Sequence, residues 1–338
     1  MGSPGGVVVV REGERSVAVI LDKPGFDELI EPYRTELFAH CYRMLGSVHD
    51  AEDMVQETYL RAWRAREQYD SSRSSVRTWM YRIATNACLT ALSSGSRRPL
   101  PSGFVAESEP LQPLVRGEEV TWLQPLPDAL LHAGDPARSA VDRASLRLAF
   151  MAALQHLSAR QRAVLILRDV LEFSAAEAAE ILGATVISVN SALRRARASV
   201  EASGAHPDNL SEPSAVEQRA LIERYMRAFV EADVEALKEL LAEDVLMEMP
   251  PMLNWFVGRR NYGSFMEWVF RAAGTDWRLE PVSANGQPGF AAYRRIGGTY
   301  TLHTLQLFTV GPDGITRNSV FQDDDVFTCF GLSFELAP

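Results

Sequence analysis

LSARQRAVLILRDVLEFSAAEAAEILGATVISVNSALRRARASVE, residues 157–201, has the pattern of a helix-turn-helix. Ser174 opens a short helix that ends at Gly183, a residue able to take the left-handed turn that closes helices. Thr185 is placed to cap a second helix, and small Ala179 lies four residues before Gly183, where two helices must cross closely. The alternative interpretation is a pair of structural helices with a solvated basic face.

The exposed face of the second helix would lie in the major groove of DNA. Its arginines would supply phosphate contacts and one guanine contact. Residues 158–200 hold six Arg against four acids, a net charge near +2, so this module alone should bind DNA weakly. The outward-facing residues are Ile187, Ser188, Asn190, Ser191, Arg194, Arg195 and Arg197.

A second helical stretch, DAEDMVQETYLRAW at 50–63, carries one leucine on its polar face. Asp50 is placed as the N-cap, and Asp53 completes a pair that resembles a capping box. The polar face holds Asp53, Gln56, Glu57 and Leu60. Single exposed leucines are common. Leu60 is therefore either an ordinary surface position or an apolar anchor, ringed by acids, that docks on a basic protein partner.

Composition and length divide the 338 residues into several domains. Helical periodicity fills two stretches, prolines interrupt the region between them, and the last part changes to two helices followed by strand-like runs. We expect an N-terminal tail or small hairpin at 1–25, an all-α domain at 26–98, a Pro-rich linker at 99–139, a helix-turn-helix domain at 140–203, a short linker at 204–214 and an α+β domain at 215–338.

Charge and composition exclude several classes of protein. The net charge of −10 argues against a general nucleic-acid coat. Residues 211–338 hold eleven Lys and Arg against eighteen Asp and Glu, so the last domain is acidic. No apolar run approaches the roughly 18 residues of a membrane span. The three cysteines have neither metal-ligand nor disulfide spacing, so we expect no metal, no cofactor and a reducing cytoplasm.

These segments together resemble a known family. DAEDMVQETYLRAW, then VRTWMYRIATNACLTAL at 76–92, then the helix-turn-helix stretch, look like regions 2 and 4 of an extracytoplasmic-function (ECF) sigma factor of the sigma-70 family. The last domain resembles the SnoaL-like, nuclear-transport-factor-like domain that some of these proteins carry. TWLQPLPD (121–128), MEMPP (247–251) and ANGQP (284–288) resemble the SigG-type group of actinobacteria. The implied fold is two all-α domains followed by an α+β cone.

The resemblance implies a protein that binds core RNA polymerase, recognises the −35 and −10 promoter elements and initiates transcription in the cytoplasm. Its polymerase partners would be the β′ clamp helices, bound by Asp53, Gln56, Glu57 and Leu60, and the β flap. The outward face of the helix-turn-helix would read the −35 element. Aromatic platforms and cations for the opened −10 element would come from Tyr69, Arg73, Arg77, Trp79, Tyr81 and Arg82.

Some positions leave two interpretations open. Trp79 is either a stacking platform for unpaired bases or a core residue. The Pro-rich linker either threads toward the polymerase active-site cleft, as in the family, or is a disordered spacer. Family members often carry Lys and Arg early in the recognition helix, where this chain has Asn190 and Ala192. This difference weakens the expected contacts with phosphate.

The last domain is expected to enclose a pocket. Its candidate residues are Glu248, Trp255, His303 and Gln306. Relatives of this fold include isomerases and cyclases, but we find no acid and donor whose spacing fixes a catalytic site. We expect a small-molecule ligand or interface pocket that modulates the sigma factor, and no enzyme. The alternatives are a stand-alone helix-turn-helix regulator with a ligand domain, and an isomerase- or cyclase-like enzyme with a DNA-binding module.

Overall fold

The computed structural model describes residues 6–12, 15–21, 23–94, 97–131, 144–202 and 213–337. These residues divide into two compact units. The first unit comprises Met1–Arg97, Leu131–Ser145 and Ala153–Ala205, and the second comprises Arg98–Leu130, Leu146–Ala152 and His206–Pro338. No helix among the described residues is long and apolar enough to cross a membrane.

The first unit begins with a hairpin and a group of helices. Its elements are β1 (Gly6–Glu12), β2 (Arg15–Leu21), α1 (Lys23–Ile30), α2 (Arg34–Leu45), α3 (Val48–Ala65) and α4 (Val76–Ser94). Strands β1 and β2 pair antiparallel, so the hairpin interpretation of the N-terminal tail is confirmed. Helices α2, α3 and α4 bury apolar stripes against one another, with Leu37, Tyr42, Val55 and Met80 in the core.

Helix α3 begins about one turn before the predicted position. Ser47 is its N-cap, because the Ser47 Oγ accepts the backbone N–H of Asp50 at 3.2 Å. Asp50 therefore lies in the first turn, where the helix dipole stabilises its negative charge. The prediction of Asp50 as the cap is wrong. Ser47 is the N-cap, and Asp50 is a residue of the helix whose backbone N–H the Ser47 side chain accepts.

The helix-turn-helix is confirmed, and its local signals act as predicted. Its elements are α5 (Leu148–His156), α6 (Ala159–Leu165), a π-helical continuation (Ile166–Val170), α7 (Ala175–Ile181) and α8 (Val186–Ala202). Ser174 and Glu177 form a capping box at α7. Gly183 takes φ +56° in the turn, and the Thr185 Oγ1 accepts the N–H of Ser188 at 3.2 Å.

The second unit contains the predicted α+β domain. Helices α9 (Ala215–Val230) and α10 (Val234–Glu239) precede β3 (Leu241–Glu248), β4 (Trp255–Val257), α11 (Arg259–Ala273), β5 (Trp277–Ala284), β6 (Gln287–Ile296), β7 (Thr299–Gly311), β8 (Gly314–Phe321), α12 (Asp324–Cys329) and β9 (Glu335–Leu336). The sheet order is β4-β3-β8-β7-β6-β5, and β9 pairs with β7. Strands β3 and β8 are parallel, and the other neighbouring strands are antiparallel.

Residues 98–130 bind along the edge strand β4 of this sheet. The N–H of Ser108 donates to the Trp255 carbonyl at 2.8 Å, and the N–H of Val257 donates to the Glu107 carboxylate at 3.0 Å. The Trp255 indole N–H donates to the Val105 carbonyl at 3.0 Å. The edge of the sheet, which would otherwise expose unpaired backbone groups, is therefore covered by residues of the Pro-rich segment.

Two buried asparagines fasten this segment further. The Asn254 Oδ1 accepts the N–H of Val115 at 2.8 Å, and its Nδ2 donates to the Pro113 carbonyl at 3.2 Å. The Asn285 Oδ1 accepts the N–H of Leu126 at 2.8 Å, and its Nδ2 donates to the Leu146 carbonyl at 2.6 Å. Each amide thus replaces two hydrogen bonds to water with two bonds to the chain.

The interpretation of 99–139 as a disordered spacer is therefore wrong for residues 98–130. Prolines prevent long helices here, but the carbonyl and N–H groups find partners in the α+β domain instead of in water. Glu107 is engaged with Val257, whereas Glu109, Glu118 and Glu119 are exposed. The remainder of the predicted linker, residues 132–139, lies outside the described residues.

Replacing Asn254 with alanine should loosen the Pro-rich segment. Two buried hydrogen bonds at about 1 kcal/mol each predict a roughly 30-fold rise in the open population of residues 113–117. Trypsin cleavage after Arg116 reports this opening, because its neighbours Val115 and Gly117 are hydrogen-bonded to Leu253 and Pro251. Asn261→Ala is the control, since the Asn261 amide donates to the Val257 carbonyl four residues earlier and has no hydrogen bond to residues 113–117 in the described part of the chain. Equal cleavage rates in both variants would contradict the role of Asn254.

Buried His40 should make the first unit less stable in acid. Burial, together with the Arg43 and Arg77 charges, lowers the pKa of His40 to about 3, while an unfolded histidine titrates near 6.5. Between these values the unfolded state binds the extra proton, so stability falls as pH falls, by up to about 1.4 kcal/mol per pH unit. His40→Gln should remove this part of the slope, measured between pH 6 and 4 by amide exchange in α2 after correction for intrinsic rates. An unchanged slope would refute the assignment.

Candidate functional site

The polar face of α3 presents an isolated leucine, as predicted. Leu60 is 51% exposed, and Asp53 and Gln56 beside it are also exposed. Glu57 is half-buried and forms an i,i+4 ion pair with Arg61 at 2.7 Å. Because the opposite stripe of α3 is in the core, this face is held rigidly outward. It presents an apolar side chain within an acidic and polar surround.

The recognition helix α8 presents its predicted face to solvent. Ile187 is 81% exposed, and Ser188, Asn190, Arg194 and Arg195 are exposed as well. Ser191 is half-buried. Val189, Leu193, Ala196 and Val200 form the buried stripe that fixes the rotation of the helix. The first turn of α8 therefore offers an apolar side chain, and its middle offers two cations.

One arginine of α8 already has a partner. The Arg197 guanidinium makes two hydrogen bonds to Asp169, at 2.8 and 2.7 Å, and this bidentate contact raises the pKa of Arg197. Arg194 and Arg195 have no such ion pair among the described residues. Of the three predicted phosphate-binding arginines, these two are the unengaged cations.

The predicted base-stacking aromatics of the first unit are buried. Trp79 packs edge-on against Phe26 with ring centroids 6.4 Å apart, and lies 4.9 Å from the Tyr69 ring. Tyr81 is fully buried and packs edge-on against His40 and Phe173. The core interpretation of Trp79 therefore holds in this structure. In this structure Tyr69, Trp79 and Tyr81 present no stacking surface to solvent, because each ring fills space between neighbouring helices.

The arginines of the same stretch differ in their engagement. Arg73 is exposed in the turn before α4. The Arg77 guanidinium lies 4.5 Å from the centre of the Phe173 ring and 3.4 Å from a carboxylate oxygen of Glu36. Arg82 lies 3.7 Å from the Glu180 carboxylate. Only Arg73 of the three is thus a free cation among the described residues.

Contacts of Tyr81, Arg77 and Arg82 show that α4 packs against the helix-turn-helix within the first unit. A further link joins α2 to α6, because the buried Arg162 donates to the Met44 carbonyl and to the Gln155 side chain at 2.9 Å. Burial lowers the pKa of Arg162 to about 10. Three of the six residues predicted to meet the −10 element, Arg77, Tyr81 and Arg82, therefore contact the module predicted to meet the −35 element.

The α+β domain encloses a cavity of about 260 Å³. Its polar residues lie on one wall, formed by β6, β7 and the end of β8, and are Arg294, His303, Thr304, Gln306 and Gln322. Its apolar residues are Leu114, Phe229, Met247, Met249, Phe265, Met266, Trp268, Val269, Ala272, Ala273, Trp277 and Val320. The prediction that His303 and Gln306 line a pocket agrees with this placement.

Glu248 and Trp255 do not line this cavity, so their assignment to the pocket is wrong. Glu248 is fully buried, and its carboxylate accepts hydrogen bonds from Ser102, Arg317 and Ser319 at 2.7, 2.8 and 3.1 Å. Trp255 lies on edge strand β4 under the Pro-rich segment. Both residues bind chain segments rather than a cavity, because they lie at the β4 end of the sheet.

A β-bulge explains why His303 faces the cavity together with Thr304. In the β6–β7 pairing Thr304 opposes Ala292 and Leu302 opposes Tyr293, so His303 is the extra residue. Burial and the nearby Arg294 charge lower the pKa of His303, so its imidazole is neutral at pH 7. Its Nε2 lies 3.5 Å from the Gln322 amide and its ring lies 5.6 Å from that of Trp277.

Comparison with known proteins identifies the three domains. Sigma-70 region 2 matches residues 29–98, Sigma-70 region 4 matches 147–200, and a SnoaL-like domain matches 222–318. Over 310 residues the chain is 46% identical to the ECF RNA polymerase sigma factor SigG of Mycobacterium tuberculosis, covering 91% of this chain and 84% of that protein. The chain belongs to the ECF sigma factors.

Further relatives agree with this assignment. The sigma factor is 30% identical over 178 residues to the ECF RNA polymerase sigma factor SigW of Bacillus subtilis, covering 52% of this chain and 87% of that protein. The crystal structure of the M. tuberculosis ECF sigma factor SigJ has the same fold, with a TM-score of 0.59 at 22% identity, covering 91% of this chain and 99% of that chain. The predicted identity as an ECF sigma factor with a SnoaL-like domain is confirmed, and the stand-alone regulator alternative is not supported.

The sequence did not reveal several residues of these sites. Phe173, which contacts Tyr81 and Arg77, lies in a connecting segment and has no periodicity that predicts its partner. Leu114 enters the cavity from the Pro-rich segment. Arg294 lies within a strand-like run, whose alternation predicts which face of the sheet a residue is on but not that this face borders a cavity. For Arg294, the signal available was its place on the same strand pair as His303 and Gln306.

Proposed function

We propose that this sigma factor docks on the β′ clamp helices of core RNA polymerase through the exposed face of α3. The observation that carries the proposal is Leu60, half exposed at the centre of a polar and acidic face on a rigid helix. A basic helical surface would bury this leucine and pair with Glu57 and Asp53. Contact of the second helical domain with the β flap, and action in the cytoplasm, follow from the family and are part of the same proposal.

For the −35 element, the proposal rests on the exposed face of α8. Arg194 and Arg195 are free to neutralise phosphates, and Ser188, Asn190 and Ser191 can meet base edges. Ile187, at the first turn, offers the apolar contact that a thymine methyl group requires. Arg197 would have to leave Asp169 to contribute. Few free cations mean that promoter affinity depends on the polymerase as well.

For the −10 element, the proposal requires a rearrangement within the first unit. Tyr81 and Arg77 are covered by Phe173, and Arg82 is paired with Glu180. Separation of the helix-turn-helix from α4 would free Tyr81, Arg77 and Arg82 together. We infer that the described arrangement is the free protein, and that binding to polymerase favours a separated one by having higher affinity for it. Trp79 and Tyr69 would remain in the core and pack beneath the freed side chains.

The C-terminal domain would modulate this process by holding residues 98–130. In the family this segment runs into the polymerase cleft, and here its Val105, Val115 and Leu126 backbone groups are bonded to the SnoaL-like domain. The segment cannot occupy both places. Its release from β4 would therefore accompany assembly on polymerase, and the strength of its attachment would set the free-energy cost of assembly.

A catalytic role for the C-terminal cavity is not favoured. No Asp or Glu is among the residues that line it, and His303 approaches the Gln322 amide rather than an acid. His303 therefore lacks the carboxylate that orients the histidine base in many enzymes. We accordingly assign the cavity a binding role rather than the isomerase- or cyclase-like one.

Leu60→Asp should weaken binding to core RNA polymerase at least tenfold, because loss of a central anchor costs about 2 kcal/mol or more. Fluorescence polarisation with purified core enzyme measures this affinity, and run-off transcription should fall in parallel. Ile296→Asp is the matched control, since Ile296 is 50% exposed in the SnoaL-like domain, far along the chain from α3. Equal affinity of the wild type and the Leu60 variant would exclude this docking surface.

Arg194→Ala and Arg195→Ala should each reduce binding of the holoenzyme to −35 DNA. Each lost phosphate contact should lower the slope of log affinity against log salt by about 0.9. Arg271→Ala, an exposed arginine of α11, removes the same charge elsewhere and should leave the slope unchanged. If all three variants gave one slope, the face of α8 would not be the DNA-contacting surface.

A further inference from the structure

We propose that the cavity of the SnoaL-like domain binds a small apolar carboxylic acid of about bicyclic size, and that the bound acid fastens residues 98–130 to that domain. The regulatory consequence rests on the proposed function, in which this segment must leave the domain during assembly. The binding site itself does not depend on that function. It follows from the size, walls and charge of the cavity.

The size and walls of the cavity define the body of the ligand. A volume of 260 Å³ is less than twice that of the roughly 150 Å³ apolar cavity that accepts benzene. Two fused rings are therefore the appropriate size. Trp268, Trp277 and Phe265 present aromatic surfaces, and Met247, Met249 and Met266 supply adaptable walls.

The charge of the cavity defines the head of the ligand. Arg294 is the ionised side chain among the lining residues, and none of them is an acid. Within the described part of the chain, Arg294 has neither an ion pair nor a hydrogen bond to another side chain. An unpaired guanidinium beside an apolar wall favours an anion with two oxygens, because its planar donors match a carboxylate.

The neighbouring polar groups complete a site for a carboxylate. His303 is neutral, so it adds no competing charge and can donate or accept one hydrogen bond. The Gln322 amide approaches the His303 Nε2, while the Gln306 amide is already engaged by Thr304 and Asn318. Arg294 and Gln322 both neighbour His303, so these residues form the polar end at which the carboxylate would bind.

Leu114 connects the cavity to the Pro-rich segment. It is the one lining residue that comes from residues 98–130, and its neighbours Pro113 and Val115 are both held by Asn254. A ligand that fills the cavity gains apolar contact with Leu114 only while the segment is attached. Ligand binding and attachment are therefore linked, and each favours the other.

Calorimetric titration of the full chain with 2-naphthoic acid tests the binding site. The wild type should bind this acid more tightly than 2-naphthamide, its uncharged counterpart. Arg294→Met should weaken binding of the acid about tenfold and leave the affinity for the amide within twofold. Arg224→Met, an exposed arginine of α9 outside the cavity, should change neither affinity. No binding of the acid, or equal losses of acid and amide in the Arg294 variant, would overturn the proposal.

Trypsin cleavage after Arg116 tests the coupling in the same full-length protein. Saturating 2-naphthoic acid should slow this cleavage severalfold in the wild type. In Leu114→Ala the acid should still bind but give little protection. Cleavage that is unaffected by the acid in the wild type would overturn the coupling. Run-off transcription without any acid tests the sigma-factor assignment separately, so failure of that assignment and failure of this inference are distinguishable.

Discussion

The exposed edge of strand β4 is the constraint on which the arrangement of the second unit depends. A sheet edge carries backbone donors and acceptors that must be paired or hydrated. In this protein, groups on Trp255 and Val257 are paired with a segment more than a hundred residues earlier in the chain. The same pairing orders a proline-rich stretch that could form no helix of its own. The segment therefore supplies hydrogen-bond partners for the sheet edge, and the sheet edge gives the segment an ordered conformation.

In the first unit, helix α4 pairs several of its polar and aromatic side chains with the helix-turn-helix. Tyr81 and Arg77 have the chemistry that unpaired DNA bases and phosphates require, but exposed aromatic and cationic groups also attract wrong partners. Contact with Phe173 covers the ring and the guanidinium at once, and the Glu180 carboxylate neutralises Arg82. A single connecting residue of the helix-turn-helix thereby contacts two side chains of α4 that we propose for promoter binding.

Local signals made much of the fold predictable from sequence. Ser174, Gly183 and Thr185 fix the helix-turn-helix because their effects extend over three or four residues. Periodicity placed Leu60 on the surface for the same reason. The acidic charge of the last domain and its α+β class could also be predicted from the sequence. These features depend on neighbours in the chain, which the sequence displays directly.

Features that depend on distant partners were not predictable. Glu248 reads as a candidate pocket acid, but its hydrogen-bond partner Ser102 lies 146 residues away. Trp79 has the same periodicity whether its ring faces a neighbouring helix or solvent. His303 turns toward the cavity because of a bulge, which shifts the alternation of a strand by one residue and leaves no mark in composition. Leu114 reaches the cavity only because the sheet edge draws its segment there.

The attachment of residues 98–130 also sets an order of events during synthesis. Val115 leaves the ribosome 139 residues before Asn254, the side chain that holds it. At roughly 5–20 residues per second, this interval lasts about 7–28 s. By the end of this interval the nascent chain carries both helical domains, while the domain that restrains the segment between them is still incomplete. Restraint by the SnoaL-like domain is thus a property of the finished polypeptide, acquired only when its last third has emerged and folded.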